Sequence, residues 1–240
     1  MARPIIHPLR EKPLILCVDN STMYGSVAIV SASGCLSEHN LISRVTHSKR
    51  LLPEIEAILN ECELGWDDLD GLAICLGPGS FTGLRIGLTT IKGICLATGL
   101  PLVGVSSLEA LASQLPYCTM PICPILDARK QEVYGALYQT STGVLQTIME
   151  PTVIPMEKLV TTIAEPTLFI GDGVEVYKSQ IEQLGENGVV GSPQLIFPRG
   201  AAIGSLALSQ FKAGLFLDPA SAAPLYIRPS DAEVNLKKSS

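Results

Sequence analysis

A short apolar run, Gly71–Leu76, ends in Gly77-Pro78-Gly79, and a helix opens at Ser80. Small residues then recur at Gly83 and Gly87, four positions apart and so on one face of that helix. A buried strand feeding a closely packed helix through so tight a turn confines the chain to α/β folds. Three things could lie against the turn: a phosphate, a neighbouring strand or another protein. A helix N-terminus attracts anions, but Leu84-Arg85 stands where a Walker phosphate loop needs Lys-Ser/Thr. The turn therefore reads as a strand-to-helix connection with glycines supplying unusual backbone angles. The Gly83–Gly87 face reads as a close seam with a second helix, within the chain or between subunits.

The rest of the chain supplies a core and no staple. At 240 residues, about 70% of the unfolded surface can be buried without a disulfide or metal. The net charge of −6 excludes the overall basic field of a stand-alone nucleic-acid binder. Local basic pairs at Lys49-Arg50, Arg129-Lys130 and Lys237-Lys238 read as solvated surface charge. Seven cysteines, an odd number with no CxxC pair, point to a reducing compartment, and a cytoplasmic location is expected. Residues 86–105 are apolar enough to suggest a membrane span, but Lys92 interrupts them and Gly99-Leu100-Pro101 breaks them. No membrane association is expected.

Residues 1–13 read as a flexible arm. Strands are expected at Leu14–Asp19, Tyr24–Val30 and about Cys35–Ser43, then an amphipathic helix over Leu51–Cys62. The strand at Gly71–Leu76, the helix at Ser80–Thr98, a strand at Leu102–Val105 and a helix through Leu115 complete a first lobe, 14–115. A second lobe, 116–230, repeats the order: strands at Ile122–Asp127, Glu132–Tyr138 and Val144–Met149, then helices near Met156–Ile163, Val174–Leu184 and Ala201–Ala213 around a strand at Leu168–Ile170. Leu225-Tyr226-Ile227-Arg228 reads as a terminal docking segment, and 231–240 as a disordered tail. Each lobe opens with an apolar strand ending in Asp, at Asp19 and Asp127, which implies a duplicated α/β architecture.

Three motifs bear on chemistry. Asp19-Asn20-Ser21-Thr22 suits either a phosphate-binding hairpin, with Asp19, Ser21 and Thr22 as its polar groups, or an Asx-turn that merely closes the hairpin. Its counterpart, Asp127-Ala128-Arg129-Lys130, lacks a glycine for backbone to approach a phosphate. Gly171-Asp172-Gly173 lies where the adenosine-facing loop would fall in the actin-like ATPase and sugar-kinase fold whose first hairpin Asp19–Thr22 resembles, but a helix-capping turn is the better reading. Metal chemistry finds no support: the histidines, His7, His39 and His47, show neither HxxxH nor HExxH spacing. No nucleophile elbow is present. The chain thus holds pieces of a degenerate nucleotide site (Asp19, Ser21, Thr22, Asp127, Gly171, Gly173) and no catalytic set.

Together these segments resemble the bacterial TsaB (YeaZ) family of tRNA threonylcarbamoyladenosine biosynthesis proteins. The resemblance runs through Leu16–Val30, His47–Ile58, Leu76–Thr90, Gly104–Leu111, Ile125–Tyr134, Phe169–Gly173 and Pro224–Arg228, and LGPGSFTGLRIG is its most specific stretch. It implies a two-lobed, duplicated fold of the actin-like ATPase (ASKHA, ribonuclease H-like) class. It also implies a non-catalytic role beside a metal-binding relative, TsaD, whose HxxxH motif is broken here by His47 and Leu51. The implied partners are TsaD and the small ATPase TsaE, with tRNA met mainly through the complex and a homodimer formed by the chain alone. No tightly bound cofactor is implied, although ATP or ADP at the complex interface is. Carried onto this sequence, the partner interface is expected on Leu51, Ile55, Ile58, Gly83, Gly87, Thr90 and Ile94. Gly87→Leu is then expected to block the partner and spare the fold. An active kinase, ATPase or peptidase-like enzyme of the same fold is the alternative, with Asp19, Thr22 and Asp127 as its polar core. A homodimer unrelated to tRNA is a third.

Overall fold

The computed structural model describes residues 13–42 and 50–227; the arm before Pro13, His47, Arg228 and the tail at 231–240 lie outside them. In the first sheet, β1 (Leu14–Asp19), β2 (Tyr24–Ser31) and β3 (Gly34–Ile42) form an antiparallel meander. Two further strands, β4 (Gly71–Gly77) and β5 (Leu102–Ser106), extend it in parallel on the other side of β1. Alternation along β1 divides the core: Leu16 and Val18 face helices α1 (Leu51–Glu61) and α2 (Phe81–Thr98), whereas Ile15 and Cys17 face the opposite layer.

After α3 (Ser107–Ser113), the chain repeats this plan. The strands β6 (Ile122–Asp127), β7 (Glu132–Gln139) and β8 (Gln146–Pro155) make the second meander. Helix α4 (Met156–Thr161) leads to β9 (Thr167–Ile170), and α5 (Gly173–Glu182) leads to β10 (Gly188–Val190). The sheet orders, β3-β2-β1-β4-β5 and β8-β7-β6-β9-β10, are equivalent strand for strand. The expected duplication is therefore present. Three-residue β10 is the strand that sequence patterning misses.

The expected lobe boundaries need correction at two helices. Helix α6 (Gly200–Lys212) follows the second sheet but seals the first, placing Ile203, Ala207 and Phe211 against Ile15, Cys17, Ala28 and Val103. Close approach is possible because Gly200 and Gly204 lie against Ala28 and Val30 of β2. Its N-terminus is held by Ser26 Oγ accepting from Gly200 N–H (2.7 Å) and by Glu38, which accepts from Ala201 N–H (2.8 Å) and pairs with Arg199. Conversely, Leu108, Leu111 and Ala112 of α3 pack on Ile122, Leu126 and Tyr138 of the second sheet. Each lobe thus borrows a helix, and the ranges 14–115 and 116–230 describe the chain rather than its cores.

Edge strand β3 is tied to α1 through His39, whose Nδ1 lies 2.6 Å from Glu54 and whose Nε2 lies 2.7 Å from Glu61. Burial pulls its pKa down, but the two carboxylates outweigh burial and hold it above the ordinary value. A folded-state pKa above the unfolded one means stabilisation that is complete below about pH 6.5 and lost as pH rises through the raised value. His39→Gln is expected to cost about 0.5–1 kcal/mol at pH 6, discounted for solvent screening, and less at pH 9. Urea unfolding at both values checks this; an equal cost at each would remove the ionic contribution. Among the described residues, no helix is long and apolar enough to cross a membrane.

Candidate functional site

A cleft of about 910 Å³ opens where the two sheets' Asp-terminated hairpins face one another. One wall is the β1–β2 turn with the glycine turn. The other is the β6–β7 turn with Asp172, and the C-terminal segment Leu225–Ile227 closes a third side.

The first wall shows what lies against the glycine turn. Asp19, Asn20, Ser21 and Thr22 are all buried, which is unusual for four polar residues at a hairpin tip. The glycine turn covers them. Ser80 N–H donates to Ser21 O (2.6 Å), Asn20 Nδ2 donates to Gly83 O (2.8 Å), and Ser80 Oγ caps α2 by accepting from Gly83 N–H (3.3 Å). A Cβ on Gly79 would sit 2.1 Å from Ser21 O, and one on Gly83 would sit 2.2 Å from Asn20 O. The partner of this turn is therefore the chain's own first hairpin.

This corrects the expected interface. Gly83 and Gly87 face inward, and Gly87 lies against Asn20 and Ile74. Leu51, Ile55, Ile58 and Ile94 belong to the same buried core. Thr90 alone of the seven sits at the outer edge of its helix, half-buried. Gly87→Leu would consequently damage the monomer, because a Cβ there already approaches Asn20 Cβ to 3.1 Å.

Asp19 accepts from Ser21 N–H through Oδ1 (3.0 Å), while its Oδ2 and the Ser21 hydroxyl have no partner among the described residues. Burial raises the Asp19 pKa to about 6, and the hydrogen bond from Ser21 N–H offsets this only in part. Because the folded-state pKa exceeds the unfolded value near 3.9, the folded state binds the proton more tightly. Stability is then greatest below about pH 4 and falls as pH climbs towards 6. Asp19→Asn is expected to raise stability at pH 7.5 by about 1–3 kcal/mol and to leave it unchanged at pH 4. Chemical denaturation at the two values is the check; a loss at pH 7.5 would show that the carboxylate is satisfied in a way its burial does not suggest.

The second wall is built differently. Gly171 (φ +101°) and Gly173 lie directly over Ile125 O, which lets the β9–α5 turn rest on β6. Asp172 does not cap α5 with its side chain; its Oδ1 accepts from Asp127 N–H (3.1 Å). Burial raises the Asp172 pKa to about 6, and the hydrogen bond from Asp127 N–H lowers it only in part. Asp127 in turn accepts from Arg129 N–H (2.9 Å). The turn continues through Arg129, Lys130 and Gln131 with φ of +64°, +54° and +64°. Three successive non-glycine residues in the left-handed region cost roughly 1–2 kcal/mol each. Of the expected nucleotide-site residues, Ser21, Thr22 and Asp127 line the cleft, Asp19 lies behind Ser21, and Gly171 and Gly173 act through Asp172.

Sequence reasoning misses the side-chain cluster on the cleft's third side. Arg85 Nε donates to Tyr226 Oη (3.0 Å), the Arg85 guanidinium stacks over the Phe81 ring at 3.8 Å, and the two rings lie 5.5 Å apart. Leu225 N–H donates to Leu76 O (2.8 Å), so the expected docking segment docks on the end of β4.

The model of the family described as TsaD, tRNA N6-adenosine threonylcarbamoyltransferase, matches residues 41–214. The TsaB protein of Bacillus subtilis is 31% identical over 91% of this chain and 96% of its own length. That of Escherichia coli is 27% identical over 89% and 94%. The solved structure of YeaZ from Pseudomonas aeruginosa superposes with a TM-score of 0.76 at 28% identity, covering 89% of this chain and 99% of that one. The duplicated sheets with their shared cleft are the two-lobed actin-like fold. The chain belongs to the TsaB (YeaZ) family of tRNA threonylcarbamoyladenosine biosynthesis proteins, within the wider TsaD-like domain family.

Proposed function

We propose that this chain is the non-catalytic partner of a TsaD-type subunit. In this reading it binds and activates TsaD for threonylcarbamoyl transfer to the adenosine beside the anticodon in tRNAs reading codons that start with adenine. TsaE joins the assembly, ATP or ADP sits at the complex interface, and the chain pairs with itself through the same face when alone, in the cytoplasm.

The observation that carries the reading is the outward face of α2. Ile86, Thr89, Thr90, Gly93, Leu96 and Ala97 form a continuous small and apolar stripe on this 18-residue helix. Leu96 is 85% exposed, and a Cβ on Gly93 would meet nothing within 4 Å. Such a stripe, smooth and nearly uncharged, suits another protein's helix at short distance. The non-catalytic part is supported by the residues themselves. Leu51, standing where the TsaD motif would want its second histidine, is a core residue of α1, and Asp19 is sealed beneath the glycine turn.

Co-elution of the chain with TsaD, with and without TsaE and nucleotide, tests the docking. Nucleoside mass spectrometry after depletion tests the pathway: threonylcarbamoyladenosine should fall. Micromolar binding of magnesium-ATP by the isolated chain would instead favour an active enzyme of this fold.

A further inference from the structure

The cleft mouth brings aromatic and charged groups from three sides together. Phe81 and Tyr226 are 40% and 44% exposed, their rings tilted 35° to one another, and Arg85, stacked on the first and bonded to the second, joins them into one π-and-guanidinium platform. Opposite, the left-handed β6–β7 turn presents Arg129, 87% exposed, and Lys130. Asp127 and Asp172 stand at the base of that turn. Flat aromatic and guanidinium surfaces receive unpaired bases of any sequence, cations receive phosphates, and carboxylates accept from exocyclic amino groups. The acidic chain thus holds a local excess of cations, three against two carboxylates, around a space of about 910 Å³, within the roughly 300–1,000 Å³ of ordinary ligand sites.

We propose that this mouth holds an unpaired nucleotide of an RNA chain, its base on the Phe81–Arg85–Tyr226 platform and its phosphate towards Arg129 and Lys130. A free nucleotide has the same chemistry, but in the β1–β2 turn that would cradle its polyphosphate the Ser21 N–H is already given to Asp19 and the Asn20 amide to Gly83 O. The choice of RNA rests on the tRNA-modification reading above.

The test uses the full chain with TsaD and an anticodon stem-loop RNA. Ultraviolet crosslinking followed by mass spectrometry should place RNA on peptides containing Phe81 or Tyr226. Fluorescence anisotropy of the labelled RNA should show Tyr226→Ala weakening binding about five- to hundredfold. Tyr226→Phe, which keeps the ring, should stay close to wild type. Arg129→Ala should lower the slope of log affinity against log salt by roughly 0.7 for each phosphate it no longer neutralises, whereas Lys178→Ala on α5 should change nothing. Crosslinks confined to other peptides, or Tyr226→Ala and Arg129→Ala affinities equal to wild type, overturn the proposal. AMP binding at the platform, with no RNA crosslink there, overturns it in favour of a free nucleotide. Co-elution with TsaD, measured on the same samples, separates the outcomes: its loss in wild type refutes the partner reading, and its retention with unaffected RNA binding refutes only the platform.

Discussion

Gly83→Ala should unfold at clearly lower denaturant than the parent chain, with a loss of about 2–5 kcal/mol. A Cβ at this position falls 2.2 Å from Asn20 O, and the obstructing atom is backbone, so no side chain can turn aside. Either the first turn of α2 retreats or the β1–β2 turn does. Both movements stretch the Asn20 Nδ2 to Gly83 O bond and the Ser80 N–H to Ser21 O bond. Overpacking costs about 1–3 kcal/mol and each buried polar group left unpaired about 1–3 more, against roughly 1 gained from replacing a helical glycine. At this chain length each kcal/mol lowers Tm by about 2–4 °C. Gly93→Ala on the same helix is the internal control. Nothing lies within 4 Å of its Cβ, so only the helix-propensity gain of about 0.5–1 kcal/mol remains. Opposite signs from one substitution on one helix are expected in urea titrations, and an unchanged midpoint for Gly83→Ala would mean that the clasp on the first hairpin does not hold.

The pair also shows what the sequence can and cannot convey. Glycines four apart reveal that something comes close to one helix face, and that much is legible. Their direction is not legible, because the spacing suits a partner chain as well as the chain's own hairpin; the structure turns Gly87, Ile91 and Ile94 inward and leaves Thr82, Thr89 and Gly93 on the other side. Strands β1 and β6 are plain in the sequence because continuous apolar runs stop at Asp19 and Asp127. The exchange of α3 and α6 between sheets is not legible. Ile203, Ala207 and Phe211 make an apolar stripe that would suit either sheet, and only Gly200 and Gly204 against Ala28 and Val30 decide between them. The platform in the cleft is hidden for a similar reason. Arg85 and Tyr226 are 141 positions apart, and neither has a local pattern to announce the other. Asp172 shows the limit of motif reading: the Gly-Asp-Gly spacing suggests a cap, but the close rest of Gly171 on Ile125 O turns its carboxylate to Asp127 instead.

Leu96→Arg should leave the chain folded and abolish stable association with TsaD. At 85% exposure the side chain gives the monomer almost nothing, so the change in its own stability should stay within about 0.5 kcal/mol. A cation in the last turn of α2, which ends at Thr98, is mildly favoured by the helix dipole. At a close-packed contact the same group brings a charge that must be stripped of water, together with a side chain too long for the space. Substitutions at the centre of interfaces commonly cost 2–4 kcal/mol, or about 30- to 1,000-fold in affinity. Thr89→Arg, two turns earlier on the stripe, should behave alike, whereas the exposed Lys178→Ala on α5 should co-elute as wild type. Because the lone chain is expected to pair through the same stripe, both arginine variants should also sediment as monomers. Circular dichroism and a urea titration confirm the fold, and size-exclusion co-elution with TsaD reads the outcome. Wild-type yield of the complex from folded Leu96→Arg and Thr89→Arg would place the partner on some other face, because no interface built on this stripe can accommodate both.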